Sequence, residues 1–325
     1  MEEGYALFAQ YRMSIAVGRE IEVSRAHQAA LLTVINTARR SLLGDVKIIG
    51  NLDVPLLVSL PGGYRTIAQA VAGLGGIAAS NYSDDEPLLL LGTVAANERR
   101  GVTLVLGFEG WRSGVWPLGE ADRLEETKDS ILAAILAAAL GVGEVFQHLR
   151  GNGMAGHRAY GMSLWYPAQA DWRTPDGGPN EFVGPSRLWL VGLGHLGQAY
   201  LWTLGLLPYA ESREVEITLQ DFDKLTLAND STSVLTDPSK VGQPKTRAMC
   251  AWLEERGFRA RMVERRFAGD VVLQGDDPRI LLCGVDNVEA RAALEDAGFD
   301  LIVEAGLGAG RPSISLCVCI HFRRA

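Results

Sequence analysis

The stretch that decides the fold is Arg187-Leu188-Trp189-Leu190-Val191-Gly192-Leu193-Gly194-His195-Leu196-Gly197. A short apolar run ends on Gly-x-Gly-x-x-Gly, and an apolar helical pattern follows through residue 206. Each glycine has its own task at such a junction. Gly192 permits the tight turn, Gly194 lets backbone approach a phosphate, and Gly197 lets the helix pack closely on the strand. The helix N-terminus then offers free N–H groups and a positive dipole end to the anion. The bare motif is weak; its place between a strand and a helix gives it weight. The sequence lacks G-x-x-x-x-G-K-[ST], which excludes a P-loop.

Downstream the alternation is regular. The patterns predict strands at 187–191, 215–220, 260–263, 280–285 and 301–303, and helices at 195–206, 244–256 and 288–297. A further apolar run, 313–322, is a candidate closing strand. Apolar strands separated by helices predict a parallel sheet covered on both faces, hence a Rossmann-like, doubly wound α/β domain over 186–325.

Upstream, residues 166–185 hold Pro167, Pro175, Gly177, Gly178, Pro179, Gly184 and Pro185 with no apolar period, and are expected to form a linker or long surface loop. Residues 1–165 give mixed signals. Helices are predicted at 24–42, 64–74 and 129–150, and strands at 46–49, 54–60, 88–91 and 102–106. This predicts a second α/β domain, degenerate because it has no strand–G-x-G-x-x-G–helix junction. Its Gly73, Gly75 and Gly76 follow a helix and suit a C-cap and loop.

The chain has 325 residues, 47% apolar and 22% charged, which fits a globular protein and excludes disorder. A formal net charge of −8 argues against broad binding to nucleic acid or an anionic membrane, while leaving room for a local basic pocket. Cys250, Cys283, Cys317 and Cys319 form no C-x-x-C pair, so no structural zinc is expected. Cys317 and Cys319 fall on one face of a predicted strand, where burial is the plainer reading. Met-Glu-Glu-Gly lacks a signal-peptide pattern, and the most apolar run, 131–142, is too short to span a bilayer. A soluble cytoplasmic protein is expected.

Three positions narrow the ligand. Asp221 and Asp223 follow the second strand, where a carboxylate accepts hydrogen bonds from ribose hydroxyls; NAD and ATP both fit. Lys245, just after Pro244, stands in the first turn of a predicted helix, where a cation opposes the helix dipole unless it faces an anion. Hydride transfer has no use for that lysine; a triphosphate does. Asp286, with Asn287 and Arg291, follows the 280–285 strand, and a carboxylate beside phosphates is a natural Mg²⁺ ligand. Each has a plainer reading: a solvated turn, a surface lysine, and a helix N-cap.

In order, the glycine turn, Asp221-Phe222-Asp223, Asn229, Val241-Gly242-Gln243-Pro244-Lys245, Val285-Asp286-Asn287 with Arg291, and Glu304-Ala305-Gly306-Leu307-Gly308 resemble the ubiquitin-activating (E1-like) superfamily, including ThiF/MoeB/HesA-type sulfur-carrier activators. The resemblance covers roughly 187–311. It implies ATP·Mg²⁺ binding and adenylation of the C-terminal glycine of a small ubiquitin-like or sulfur-carrier protein. By motif position it implies Gly192, Gly194 and Gly197 at the phosphates, Asp221 on the ribose, Asn229 orienting the nucleotide, Lys245 neutralising the phosphates, and Asp286 holding Mg²⁺. Such enzymes commonly pair an inactive copy of the fold with an active one. That implies an inactive adenylation-like role for 1–165, with either a homodimer or a pairing of the chain's own two α/β domains.

The sequence departs from that family in three places. Ala228-Asn229-Asp230-Ser231-Thr232-Ser233 replaces the usual S-N-L-x-R-Q, so Thr232 stands where a triphosphate-binding arginine is expected; Arg247, Arg187 or a partner's arginine are candidate substitutes. The zinc C-x-x-C pairs of many members are missing. Little chain follows the last strand, where many members carry a thioester cysteine. Two alternatives therefore stand beside adenylation: an NAD(P)-binding oxidoreductase, and a non-catalytic pseudoenzyme acting as a binding module.

Overall fold

The computed structural model describes residues 6–95, 99–120, 123–128, 130–181, 183–268, 270–285, 287–308 and 315–322. The chain divides into two compact units, Met1–Phe182 and Val183–Ala325.

The first unit is a seven-stranded sheet in the order β3-β2-β1-β4-β5-β6-β7. Its strands are β1 (Met13–Val17), β2 (Val46–Ile49), β3 (Ile77–Ala78), β4 (Leu88–Leu91), β5 (Thr103–Glu109), β6 (Arg112–Pro117) and β7 (Tyr160–Ser163). The first five are parallel and the last two antiparallel. Leu88–Leu91 is buried at every position, as a strand covered on both faces must be. Helices α1 (Arg25–Ser41), α2 (Ile67–Gly73) and α3 (Ile131–Leu149) complete the unit. Ser24 caps α1 by accepting the His27 amide at 3.2 Å.

Several details differ from the sequence reading. Residues 54–60 form no strand, only a bridge from Pro55 to Thr66. Pro55 and Pro61 cannot donate to a ladder, and Gln28 pins the segment instead through Pro55 O and the Leu57 amide. Helix α2 starts at Ile67 rather than 64, because Thr66 caps it. β1, β6 and β7 carry too little apolar period to be read from sequence: Ser14 is buried in β1 and bonds Glu86 at 2.7 Å. Helix α3 matches the expected 129–150 helix closely but extends beyond the 131–142 run and, by length and composition alone, passes for a membrane span. Half of that window is buried, and a Cβ on Gly141 would stand 2.4 Å from Leu106 Cδ2, as in a core helix on a sheet. Of the glycine- and proline-rich stretch 166–185, residues up to 180 are tied to the first unit. The Trp172 ring packs at a tilt 6.0 Å from Trp116, Ser163 Oγ donates to Asp176 Oδ2 at 2.6 Å, and Trp111 Nε1 donates to Pro179 O at 2.7 Å.

The second unit has six strands in the order β10-β9-β8-β11-β12-β13: β8 (Arg187–Val191), β9 (Glu216–Gln220), β10 (Arg259–Val263), β11 (Ile280–Cys283), β12 (Leu301–Gly308) and β13 (Ser315–Phe322). Numbered within the unit this is 3-2-1-4-5-6, the doubly wound order, in which the chain reverses direction between β8 and β11. All pairs are parallel except β12–β13, which runs antiparallel from Leu301↔Phe322 to Gly308↔Ser315. Helices α4 (His195–Leu206), α5 (Leu227–Asp230), α6 (Lys245–Glu255) and α7 (Val288–Asp296) connect them. Trp189, Val191, Leu281, Cys283, Phe267 and Phe299 lie in the core on one face. Cys317 and Cys319 lie on β13, but their side chains are outside the described residues.

The first unit repeats the 3-2-1-4-5 order, yet its first strand leads into α1 differently. After β1 comes Gly18 and a single 3₁₀ turn, Arg19–Glu22. The Glu20 carboxylate folds into the corner between the ends of β1 and β4, accepting the Thr93 amide at 2.9 Å and the Thr93 hydroxyl at 2.5 Å. A Cβ on Gly18 would stand 2.4 Å from Glu20 Oε2. Burial opposes ionisation there, but the two Thr93 bonds, with Arg123 nearby, outweigh it and bring the Glu20 pKa from 4.5 to about 2. Because the folded value is depressed, its stabilisation is present above pH 4.5 and is lost as the pH falls towards 2. Glu20→Gln is expected to lower stability by about 1–2 kcal/mol at pH 7, with the difference from wild type vanishing near pH 2. Denaturant unfolding across that range measures it; a difference that does not change with pH would refute this account.

Candidate nucleotide site

The ends of β8, β9, β10 and β11 surround a cavity of about 570 Å³ in the second unit. Its floor is the glycine turn. Gly192 has φ +86°, a conformation that favours glycine. A Cβ on Gly197 would stand 2.0 Å from Gly192 O, and one on Gly284 would stand 2.4 Å from the same oxygen. Three backbones therefore meet where none has room for a side chain. Gly194 is the opposite case: it lines the cavity, and an added Cβ would meet nothing within 4 Å. It is the N-cap of α4 and makes no side-chain cap, so that face of the helix N-terminus opens on the cavity.

Asp221 is buried and braces this turn. Its Oδ2 accepts the Leu193 amide at 2.7 Å, and its Oδ1 accepts the Asp223 amide at 2.8 Å. Lys245, also buried, brings its Nζ to 3.1 Å from Asp223 Oδ2 and 3.8 Å from Asp221 Oδ2. The anion that the lysine faces in this structure is thus the aspartate pair. Asp223 is half exposed, so its share is the weaker and more easily exchanged. Backbone clasps hold the two motifs together: Lys245 N donates to Asp223 O at 3.0 Å, Leu225 N to Gln243 O at 2.8 Å, and Gly242 N to Leu225 O at 2.8 Å. Pro244 is the N-cap of α6, which makes Lys245 its first residue.

Other predicted residues fall elsewhere. Asn229 does not line the cavity; it closes a capping box on α5, accepting the Thr226 amide at 2.8 Å. Asp286 lies outside the described residues. The N-cap of α7 is Asn287, not Asp286: Asn287 Oδ1 accepts the Glu289 and Ala290 amides at 2.8 and 3.1 Å. Thr232 donates its hydroxyl to Ala228 O. Neither arginine weighed as a substitute lines the cavity. Arg247 pairs with Glu264 at 2.8 Å, and Arg187 starts β8 at the opposite end of the strand, near Glu216. The arginines that do line it are Arg265 and Arg266, just past β10. Sequence gave no signal for them, because only the strand order carries β10 to this rim. It also missed two buried glutamines. Gln198 ties Leu193 O to the Leu235 amide, and Gln220 joins Trp189 Nε1 to the Arg265 carbonyl.

Two family profiles match the chain: the BilD N-terminal domain over residues 12–164 and the BilD C-terminal domain over 184–323. The Bacterial E1-like protein BilD of Collimonas sp. (strain OK412) is 44% identical over 311 residues, 95% of this chain and 67% of that protein. The chain belongs to the BilD family of bacterial E1-like proteins. Solved structures similar to this BilD-family chain include Escherichia coli tRNA N6-threonylcarbamoyladenosine dehydratase, TcdA, at 20% identity and a TM-score of 0.33, covering 39% of this chain and 54% of that one. TcdA in complex with ATP matches at 22% identity and a TM-score of 0.30, covering 34% of this chain and 44% of that one. The chain thus spans about half of those proteins and about two thirds of its curated relative.

The two glycine contacts separate packing from binding. Gly197→Ala is expected to cost about 3 kcal/mol by driving its Cβ into Gly192 O. Gly194→Ala, at φ −75° in open space, should unfold like wild type yet lose affinity for a phosphate at the helix N-terminus. Thermal unfolding and calorimetry with ATP check both; a Gly194→Ala protein with wild-type affinity would refute the open-turn reading.

Proposed function

We propose that the second unit binds ATP·Mg²⁺ and adenylates the C-terminal glycine carboxylate of a small ubiquitin-like or sulfur-carrier protein. The observation that carries this is Lys245, a buried cation at the N-terminus of α6, facing the same cavity as the open Gly194 turn. Membership of an E1-like family supports it.

The chemistry asks for positioning and charge rather than a protein nucleophile. A carboxylate oxygen of the partner's last residue bonds to the α-phosphorus, the bond from the α-phosphorus to the α,β-bridging oxygen breaks, and pyrophosphate leaves carrying that oxygen. The backbone N–H groups at Gly194 hold phosphate oxygens. Lys245 gives up its exposed contact with Asp223 and turns to the departing charge, while Asp221 keeps the turn in shape. Asp223, at the same rim, is the better placed of the pair to meet ribose hydroxyls, since Asp221 already uses both oxygens internally.

Mg²⁺ takes one or two carboxylates together with phosphate oxygens, and needs no all-protein cage. Asp286 is the residue we assign to it, from its motif position. In this reading residues 1–165 are an adenylation-like copy without a nucleotide, consistent with the repeated strand order and the Glu20-filled corner. Their role is to pair with the active copy, within the chain or in a dimer, in the cytosol where ATP is supplied.

Thr232 favours a second reading, a pseudoenzyme that holds its partner without turnover, because its hydroxyl is bound locally and supplies no charge. ATP–pyrophosphate exchange dependent on a glycine-ended partner protein separates the two. Exchange is expected with wild type, and Lys245→Ala should lower kcat by about 10²–10³. ATP binding without exchange would support the pseudoenzyme; tight NAD binding without ATP binding would overturn both.

A further inference from the structure

Arg266 has an arrangement that the reaction above does not use. Its guanidinium lies 4.4 Å over the ring centroid of Phe222, and both residues line the cavity. The neighbours of Arg266 are fixed. Gln220, buried on β9, donates to the Arg265 carbonyl at 3.3 Å, Asp270 holds the Arg265 guanidinium at 2.9 Å, and Phe267 is buried in the core. Lys245 faces two carboxylates and Arg265 faces Asp270, but among the described residues Arg266 forms no salt bridge. Its guanidinium lies instead against the aromatic face of Phe222.

The strand order says which part of a nucleotide this pair would meet. In a doubly wound sheet the phosphates lie on the turn after the first strand and the ribose on the acidic residue after the second. Here those are the glycine turn after β8 and Asp221–Asp223 after β9. Arg266 follows β10, the next strand out. Strands are about 4.8 Å apart, so β10 ends about 10 Å from the turn, on the far side of the ribose position. The lining includes small apolar side chains, Ala268 beside Arg266 on the same stretch and Val285, Ala290 and Ala293 across the cavity, with the polar Asn287 and Glu289 among the latter. A flat cation over an aromatic ring, with Ala268 beside it, suits a base better than a phosphate.

The geometry points to Arg266, seated on Phe222, as the stacking platform for the nucleotide's base. The guanidinium is planar and weakly hydrated, so one face rests on Phe222 and the other is free to cover the base. Such stacking engages the base and is indifferent to the phosphates. This rests on the reading of the cavity as an ATP site, and it names the residue that would distinguish a nucleotide from a bare polyphosphate.

Calorimetry of the full chain with ATP, AMP and inorganic tripolyphosphate tests it. Arg266→Ala is expected to weaken ATP and AMP about tenfold while leaving tripolyphosphate within twofold of wild type. Phe222→Ala should do the same, and the double variant should be little worse than either single one, since the two side chains act as one stack. Arg266→Lys, which keeps the charge and loses the plane, should resemble Arg266→Ala. Equal loss of ATP and tripolyphosphate would make Arg266 a phosphate ligand and overturn the proposal. So would unchanged ATP and AMP affinity in Arg266→Ala. Wild-type protein that binds none of the three would instead overturn the ATP reading itself, and the two failures are therefore distinct.

Discussion

The Asp221 carboxylate accepts the Leu193 amide with one oxygen and the Asp223 amide with the other, and Lys245 stands 3.8 Å from it. Three stretches far apart in sequence are thereby held to one another: the glycine turn after β8, the acidic turn after β9, and the first turn of α6. A buried carboxylate left without such donors would cost several kcal/mol, and a buried ammonium without an acid nearby would cost as much. Each group makes the burial of the others tolerable. The shape of the cavity follows from that contact, because its floor and the rim nearest Lys245 are the stretches it joins. Gln198 and Gln220 extend the same bracing outward, one to residue 235 and the other to the backbone of Arg265.

The two units apply one strand order to different ends. In each, parallel strands run 3-2-1-4-5 and the sheet finishes in antiparallel pairing, two pairs in the first unit and one in the second. In the second unit Gly192 and Gly197 of the first turn meet Gly284, past β11, so closely that no Cβ fits there, and the space before Gly194 is left open. In the first unit one glycine remains, and the corresponding corner holds a side chain, Glu20, bonded to Thr93 just past β4. The contrast is one of donors and acceptors. A corner rich in free N–H groups calls for an anion, and the chain either leaves that to a ligand or provides its own carboxylate.

Much of the second unit was legible in the sequence, for a physical reason. A buried parallel strand must be apolar throughout, and a strand-to-helix turn this tight must be glycine, so Arg187–Val191 and Gly192–Gly197 announce themselves. The limits of α4, residues 195 and 206, agree with the pattern to the residue. In the first unit, Ser14 within β1 and the glycines of β6 and β7 break the period, and the pairing of those strands is visible only in three dimensions. The same holds at the site. Lys245 and Asp221 carry local signals, whereas Arg265 and Arg266 sit in a charged run that reads as solvated surface until the strand order brings it to the cavity. Asn229 shows the converse: a motif position whose side chain is spent on capping a four-residue helix. The family resemblance, found in the motif series, holds over both units as kinship with a bacterial E1-like protein.

The Glu20 corner has a consequence for how each unit's stability is governed. A site that awaits a ligand is stabilised by mass action: its folding free energy deepens with ligand concentration as RT ln(1 + [L]/Kd). A corner closed by a residue of the same chain has no such dependence, because its ligand is present at a fixed effective concentration set by the backbone. On the ATP reading proposed above, nucleotide supply deepens the folding free energy of the second unit, whereas the contribution of the Glu20 corner to the first does not depend on it.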